Sequence, residues 1–267
     1  MEKKKIAVIT GASSGMGRKF CEILDSHGFD EIWGLGLGKE AMEDVKKSLK
    51  TNFRYFDMDL TDHENLAIYK KALQEADPDV QWLVNCSGFG KFGRYDEIPV
   101  ESSMNMVDLN CRALLFMTET TIPYMNKGGR IVQIASVAGF QPIPYIAVYG
   151  ATKAFVISYS RALNVELKSK GISVTTVCPF WTKTAFFDRA KRINTKTSKE
   201  VVSKYVVMYD PEKVIKKAVK DAIKRKEMSI YGVVARSQVR LVKYIPTKWT
   251  MGIWMRQQKL KQKYEGK

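Results

Sequence analysis

The chain has 267 residues, 45% of them hydrophobic and 27% charged, with a formal net charge of +16. That length can bury one large core, and the chain has no internal repeat or low-complexity linker, which excludes a repeat array or a tethered string of modules. The four cysteines, Cys21, Cys86, Cys111 and Cys178, are too scattered for a disulfide framework and lack metal-ligand spacing, so reduced thiols in a cytoplasmic protein are expected.

The first apolar run, Ile6-Ala7-Val8-Ile9, reads as a buried strand over 5–10. With Ile6 starting a strand, the lysines before it show no signal-peptide cleavage pattern, and no leader is expected. It runs into Thr10-Gly11-Ala12-Ser13-Ser14-Gly15-Met16-Gly17 and then a helical stretch from Arg18 to about Ser26. Glycines at a strand-to-helix turn let the backbone approach a pyrophosphate, and the helix N-terminus favours its negative charge. Further strands are predicted over 31–35, 52–56, 82–85, 130–135, 173–178 and 228–231, with helices in the gaps, the longest over 100–125 and 148–170. This alternation predicts an α/β, Rossmann-type doubly wound parallel sheet of about seven strands with helices on both faces. No apolar run is long enough to span a membrane.

The fifth predicted strand runs into Ser136, at the carboxyl edge where ligands bind in open α/β sheets. On the helix that follows, Tyr149 and Lys153 lie four residues apart and share a face. A nearby ammonium lowers a phenol pKa from its usual value of ~10, which makes the pair a usable general acid/base.

Together, the glycine turn of Thr10 to Gly17, Ser136 in Ile134-Ala135-Ser136-Val137-Ala138-Gly139, and Tyr149-Gly150-Ala151-Thr152-Lys153 resemble the short-chain dehydrogenase/reductase family. The resemblance covers about Lys5 to Gly232. It implies a catalytic set of Asn110, in Val107-Asp108-Leu109-Asn110, with Ser136, Tyr149 and Lys153. It implies hydride transfer between a nicotinamide and a carbonyl carbon. Tyr149 exchanges the proton, Ser136 binds the same oxygen, Lys153 lowers the Tyr149 pKa and holds the ribose, and Asn110 helps position a water. It also implies cofactor contacts from Gly11, Ser13, Ser14, Gly15, Met16 and Gly17, from Asp59 and Leu60, and from Asn85 and Gly88. Pro179, Thr182 and Thr184 are expected near the nicotinamide. Cys86, Ser87 and above all Phe180, in place of a glycine, depart from the family pattern; a ring at 180 is expected to alter the backbone and shape the pocket wall. Some members keep the dinucleotide site as binding or regulatory proteins, but the complete catalytic set points to an enzyme.

Cofactor choice is read after the second strand, in Gly34-Leu35-Gly36-Leu37-Gly38-Lys39-Glu40. No acid sits at Gly36, and Lys39 is the nearest cation, so NADP(H) is favoured over NAD(H); Glu40 argues the other way if it turns inward. The variable segment 184–209 is expected to cover the substrate. Phe180, Trp181, Phe186 and Phe187 suggest a bulky apolar substrate, and Arg189, Lys191 and Arg192 could hold a distal anion. A hydroxysteroid or bile-acid-like compound fits, and a long-chain acyl ketone is the alternative.

The basic excess is expected to be solvated helix faces; no nucleic-acid motif is present. The expected division is a catalytic domain over 1–236 and a basic, aromatic extension over 237–267. With Trp249, Ile253 and Trp254, that extension is too apolar for a solvated tail. It can cover the pocket, pack on another subunit of a homodimer or homotetramer, or lie on a membrane surface.

Overall fold

The computed structural model describes residues 2–184, 186, 190, 201–202 and 204–261. Seven parallel strands form one sheet: β1 (Lys5–Thr10), β2 (Glu31–Gly36), β3 (Asn52–Asp57), β4 (Asp79–Asn85), β5 (Arg130–Ile134), β6 (Ser173–Val177) and β7 (Met228–Ser229). Their order is β3-β2-β1-β4-β5-β6-β7. The chain therefore winds outward from β1 in one direction and then, from β4, in the other. The crevice between β1 and β4 at the carboxyl edge is the topological switch point.

Alternation along β1 shows why two helical layers are needed. Ile6 and Val8 enter a core with Leu66, Tyr69 and Leu73 of α3 (His63–Ala76) and Leu163 of α6 (Ala147–Glu166). Ala7 and Ile9 enter the opposite core with Phe20 and Leu24 of α1 (Gly15–Leu24), Met42 of α2 (Lys39–Ser48) and Val214 of α7 (Pro211–Ile223). Both faces exclude water at the centre of the sheet, so β1 reads as a continuous apolar run. Each buried Ile or Val contributes roughly 2 kcal/mol. Helix starts follow from local chemistry: the Asp62 carboxylate accepts from Glu64 N–H at 2.8 Å, and Asp210 accepts from Glu212 and Lys213.

The helix expected over 100–125 is not uniform. It divides into α4 (Val100–Val107), a π-helical stretch over Asp108–Ala113, α5 (Leu114–Thr121) and a 3₁₀ turn over Ile122–Tyr124. Pro123, lacking an N–H, accounts for the last change. The π stretch centres on buried Asn110, whose amide is drawn to the Phe89 backbone. The last strand is shorter than expected, because the chain turns at Gly232, with φ +92°. A Cβ there would sit 2.1 Å from the Tyr209 hydroxyl, so only glycine permits the turn.

Beyond the sheet, α8 (Val233–Leu241) and α9 (Thr247–Gln257) cross the carboxyl-edge side of the molecule. Trp254 and Leu260 are buried with Phe92, Ile143, Ile146, Val201 and Val202. Cys21 and Cys178 are buried, Cys86 and Cys111 half-buried, and all four are free. Among the described residues, no helix is long and apolar enough to cross a membrane.

Candidate active site

The turn after β1 is held from both sides. Gly11 N–H donates to Leu35 O at 2.7 Å, and the Thr10 hydroxyl accepts from Cys86 and Ser87 N–H, each at 2.9 Å. A Cβ on Gly17 would lie 2.1 Å from Gly11 O, so α1 packs against the turn only because that residue is glycine. Ser14 and Gly15 are exposed, and Ser14 makes no side-chain cap to the helix. Gly15, at φ +55°, has open space where a Cβ would be. The first turn of α1 therefore carries N–H groups without intrahelical acceptors beside the exposed Ser14 and Gly15, an arrangement that suits a pyrophosphate.

Ser136 follows β5 and opens a 3₁₀ turn over Val137–Phe140, its Oγ accepting from Ala138 N–H at 3.1 Å. That bond uses a lone pair and leaves the hydroxyl proton to donate. Gly139 sets this turn against α6: a Cβ there would be 2.6 Å from the Lys153 carbonyl carbon. Lys153 is buried, and its Nζ donates to Ile134 O at 2.7 Å, leaving two further N–H bonds for other acceptors. Asn110 Oδ1 accepts from Phe89 N–H at 3.0 Å, while its Nδ2 donates to Phe89 O at 2.9 Å and Thr152 Oγ1 at 3.1 Å. Its side chain therefore braces the loop after β4 against α6. Gly88 lies between the two groups, since a Cβ on it would be 2.9 Å from Asn110 Oδ1 and 3.5 Å from Lys153 Nζ.

The electrostatics differ from the sequence expectation. Burial pushes the Tyr149 phenol up to about 12, and the neighbouring Ser136 hydroxyl pulls it back only in part. Burial also brings the Lys153 ammonium down to about 8, against a small upward pull from Cys86, Cys111 and Cys178. Lys153 Nζ is 5.8 Å from the centre of the Tyr149 ring. Spacing on a helix sets proximity, but the depth of the site decides the protonation states: the protein's own groups keep the phenol protonated.

A cavity of about 610 Å³ begins at Met16, Cys86 and Gly88, passes Ser136, Tyr149 and Lys153, and ends under α8 and α9. Pro179, Phe180, Trp181, Thr182, Thr184 and Phe186 line it. Phe180 is not among the residues with positive φ, so the ring replaces glycine without a left-handed backbone. Its ring packs 6.0 Å from Trp181 and 6.3 Å from Tyr209. Thr182 is buried, its Oγ1 donating to Phe180 O at 2.9 Å. Lys183 N–H to Tyr209 O, at 3.0 Å, and Tyr209 N–H to Trp181 O, at 2.7 Å, clamp the two ends of the variable segment. Phe187, Arg189, Lys191 and Arg192 lie outside the described residues.

Other sequence candidates fall away from this cavity. Asn85 turns inward, donating to Thr118 Oγ1 at 2.9 Å. The Leu60 side chain is in the core. Asp59 accepts from Thr61 N–H and Thr61 Oγ1, both at 2.8 Å. Lys39 is exposed at the first position of α2. Sequence reasoning missed Asp57, whose Oδ1 accepts from Gly38 N–H at 2.8 Å just before Lys39. It also missed Gly90, where a Cβ would lie 2.9 Å from Tyr149 Cδ2. The signal for Gly90 was its place in the glycine-rich stretch Gly88-Phe89-Gly90-Lys91-Phe92-Gly93.

An uncharacterized oxidoreductase of Staphylococcus epidermidis is 32% identical over 179 residues, covering 66% of this chain and 77% of that protein. The very-long-chain 3-oxoacyl-CoA reductase-B of Danio rerio is 33% identical over 190 residues, which are 67% of this chain but 60% of that protein. A short-chain dehydrogenase from Sphingobium yanoikuyae in complex with NADPH superposes with a TM-score of 0.74 at 25% identity, covering 91% of this chain and 96% of that one. The bulky-bulky ketone specific alcohol dehydrogenase from Comamonas testosteroni gives 0.70 at 25% identity, covering 92% and 96%. Residues 5–194 match the family model of the short chain dehydrogenases. By that match this chain belongs to the short-chain dehydrogenase family, as an oxidoreductase that acts on CH–OH and C=O groups with a nicotinamide cofactor.

Proposed function

We propose that the protein interconverts a bulky apolar ketone and its secondary alcohol, of hydroxysteroid or bile-acid-like type, with NADP(H) as the preferred cofactor. The observation that carries this reading is the apolar cavity of about 610 Å³ with Tyr149 and Ser136 on its wall. That volume, shared between the nicotinamide end at Met16 and Gly88 and the apolar end under α8 and α9, lies in the range of small-molecule sites. The Comamonas testosteroni relative, named for bulky-bulky ketones, supports it.

When bound, the nicotinamide supplies the hydride that reduces the carbonyl carbon, or takes it back in oxidation. In reduction, Tyr149 Oη gives its proton to the substrate oxygen. Ser136, whose Oγ accepts from Ala138 N–H, keeps its own proton and donates a hydrogen bond to the same oxygen. Lys153 holds its place through Ile134 O and has two N–H bonds left for a ribose hydroxyl and for returning a proton to Tyr149. Asn110 is a positioning residue, fixing the Phe89 loop beside Lys153 and framing a site for a water. The first-turn N–H groups of α1 and the two unused N–H bonds of Lys153 suit a dinucleotide along this edge.

Three features support NADP(H). Lys39 is exposed, the position of Gly36 carries no acid, and the Sphingobium yanoikuyae relative was solved with NADPH. Asp57, the nearby acid, already accepts the Gly38 N–H. A second reading, a long-chain acyl ketone, is favoured by the Danio rerio relative. Cofactor oxidation followed optically, with hydroxysteroid ketones and 3-oxoacyl thioesters in parallel, tests both. Turnover on the ring ketones supports the first reading, turnover only on the thioesters the second, and none on either contradicts both.

A further inference from the structure

The cavity opens onto an apolar rim that faces solvent. Val206, Val233, Val234, Leu241 and Ile253 all line the cavity and are all exposed. Two aromatic residues extend the rim without lining the cavity: Tyr244, 86% exposed, and Trp249, 67% exposed. Trp249 and Ile253 are one turn apart on α9 and share a face, while Thr250 and Trp254 of the same helix turn inward. The outward face of α9 is therefore apolar where its inward face is already satisfied.

The C-terminal helices that form most of this rim carry charge of one sign only. From Gly232 to Lys261 the chain has seven lysines and arginines and no acid. All seven are exposed, among them Arg240, Lys243, Lys248 and Arg256. An apolar and aromatic strip flanked by cations, at the mouth of an apolar cavity, matches the physics of a bilayer surface. Indole and phenol rings sit at headgroup depth, aliphatic side chains reach the acyl boundary, and cations meet lipid phosphates. A second copy of the chain is a poorer partner, because a two-fold contact would set the same cationic face against itself.

We infer that this rim docks on an anionic lipid bilayer and that the cavity is loaded from the bilayer side. The loading rests on the apolar-substrate reading above; the docking does not.

The test uses the full chain and sedimentation with vesicles of phosphatidylcholine alone or with about a third phosphatidylglycerol, at low and high salt. Two variants accompany it, Tyr244→Ser/Trp249→Ser and Lys243→Gln/Lys248→Gln/Arg256→Gln; none of these residues lines the cavity. The parent is expected to bind anionic vesicles, and binding to fall about tenfold or more at high salt, on neutral vesicles and in either variant. Both variants should keep the parent's assembly state and its turnover of a small water-soluble ketone, which shows that they fold. Anionic vesicles should raise parental turnover of a bilayer-dissolved bulky ketone and leave the variants unchanged. Failure of the parent to bind, or equal binding by parent and variants, overturns the docking and leaves the function standing. A Tyr244→Ser/Trp249→Ser variant that instead breaks up an oligomer assigns the rim to a second copy and also overturns it. Vesicle binding without turnover of any bulky ketone keeps the docking and overturns the proposed function.

Discussion

The indole N–H of Trp254 donates a 3.0 Å hydrogen bond to the carbonyl oxygen of Pro144, five residues before Tyr149. Gln258 makes a matching tie, accepting from Lys204 N–H at 3.1 Å and donating to Lys204 O at 2.9 Å. The C-terminal extension is thus fastened both to the approach to the proton donor and to the end of the variable segment. Trp254→Phe removes the hydrogen bond and keeps a ring, at a cost of about 1 kcal/mol. Trp254→Ala also removes a cavity wall. It should raise KM for a bulky ketone roughly tenfold, change turnover of a small ketone little and lower the thermal midpoint, in line with a loss of about 3–5 kcal/mol for a buried Trp. Steady-state kinetics on the two ketones and a melting curve check this; an unchanged KM for the bulky ketone contradicts the wall.

Gly90 gives Tyr149 its seat. A methyl group there would come within 2.9 Å of Tyr149 Cδ2 and 3.0 Å of Phe186 Cζ. Phe186 can yield, but a displaced Tyr149 ring carries its hydroxyl with it. Gly90→Ala should lower kcat about 10- to 100-fold, the scale of a small misplacement at a reacting centre, with cofactor binding nearly unchanged. Stopped-flow turnover and cofactor titration separate the two effects. A parent-like kcat would show that the ring does not need that space.

Buried Lys153 makes stability depend on pH in a particular window. Its ammonium is held at about 8, below the ordinary lysine value of ~10.4. Between these values the unfolded chain binds more protons than the folded one, so stability rises with pH there and is lost as pH falls through the lower value. Tyr149, pushed up to about 12, acts in the opposite sense, but only above the ordinary tyrosine value of ~10. From pH 8 to 10 the parent should therefore gain stability relative to Lys153→Met, by up to about 3 kcal/mol. Denaturant unfolding of both proteins at the two pH values measures it. A constant difference between them contradicts a buried ammonium.

Lys39→Ala should weaken NADP(H) more than NAD(H), because only the former carries the extra phosphate. A lost charge-assisted contact is worth about 1.5–3 kcal/mol. Asp57→Asn should act in the reverse sense and favour the phosphate, since Asp57 places a carboxylate on Gly38 N–H beside Lys39. Calorimetric titration of both cofactors into the three proteins decides the matter. Equal losses for the two cofactors in Lys39→Ala would remove Lys39 from the phosphate site.

The sheet was legible because parallel strands buried on both faces must be apolar throughout, as Ile6 to Ile9 are. The glycine turn was legible because close backbone approach needs glycine, as Gly17 against Gly11 O shows. What escaped depends on distances through space. No periodicity marks the π-helical stretch over Asp108–Ala113, which turns on the hydrogen bonds between Asn110 and Phe89. Spacing placed Lys153 near Tyr149 but gave no measure of burial, which sets both protonation states. The aromatic excess of 237–267 required burial somewhere, yet nothing in it identified Pro144 as the acceptor for Trp254.

The most direct measurement is single-turnover reduction of a bulky ketone by the parent and by Tyr149→Phe, with cofactor affinity determined on the same samples. The substitution keeps the ring that packs 5.4 Å from Phe186 and removes only the transferable proton. Tyr149→Phe should lower the rate roughly 10²–10⁴-fold, the scale of lost general acid catalysis, with cofactor affinity nearly unchanged. A variant that reduces the ketone at close to the parental rate would contradict the assignment of Tyr149 as proton donor.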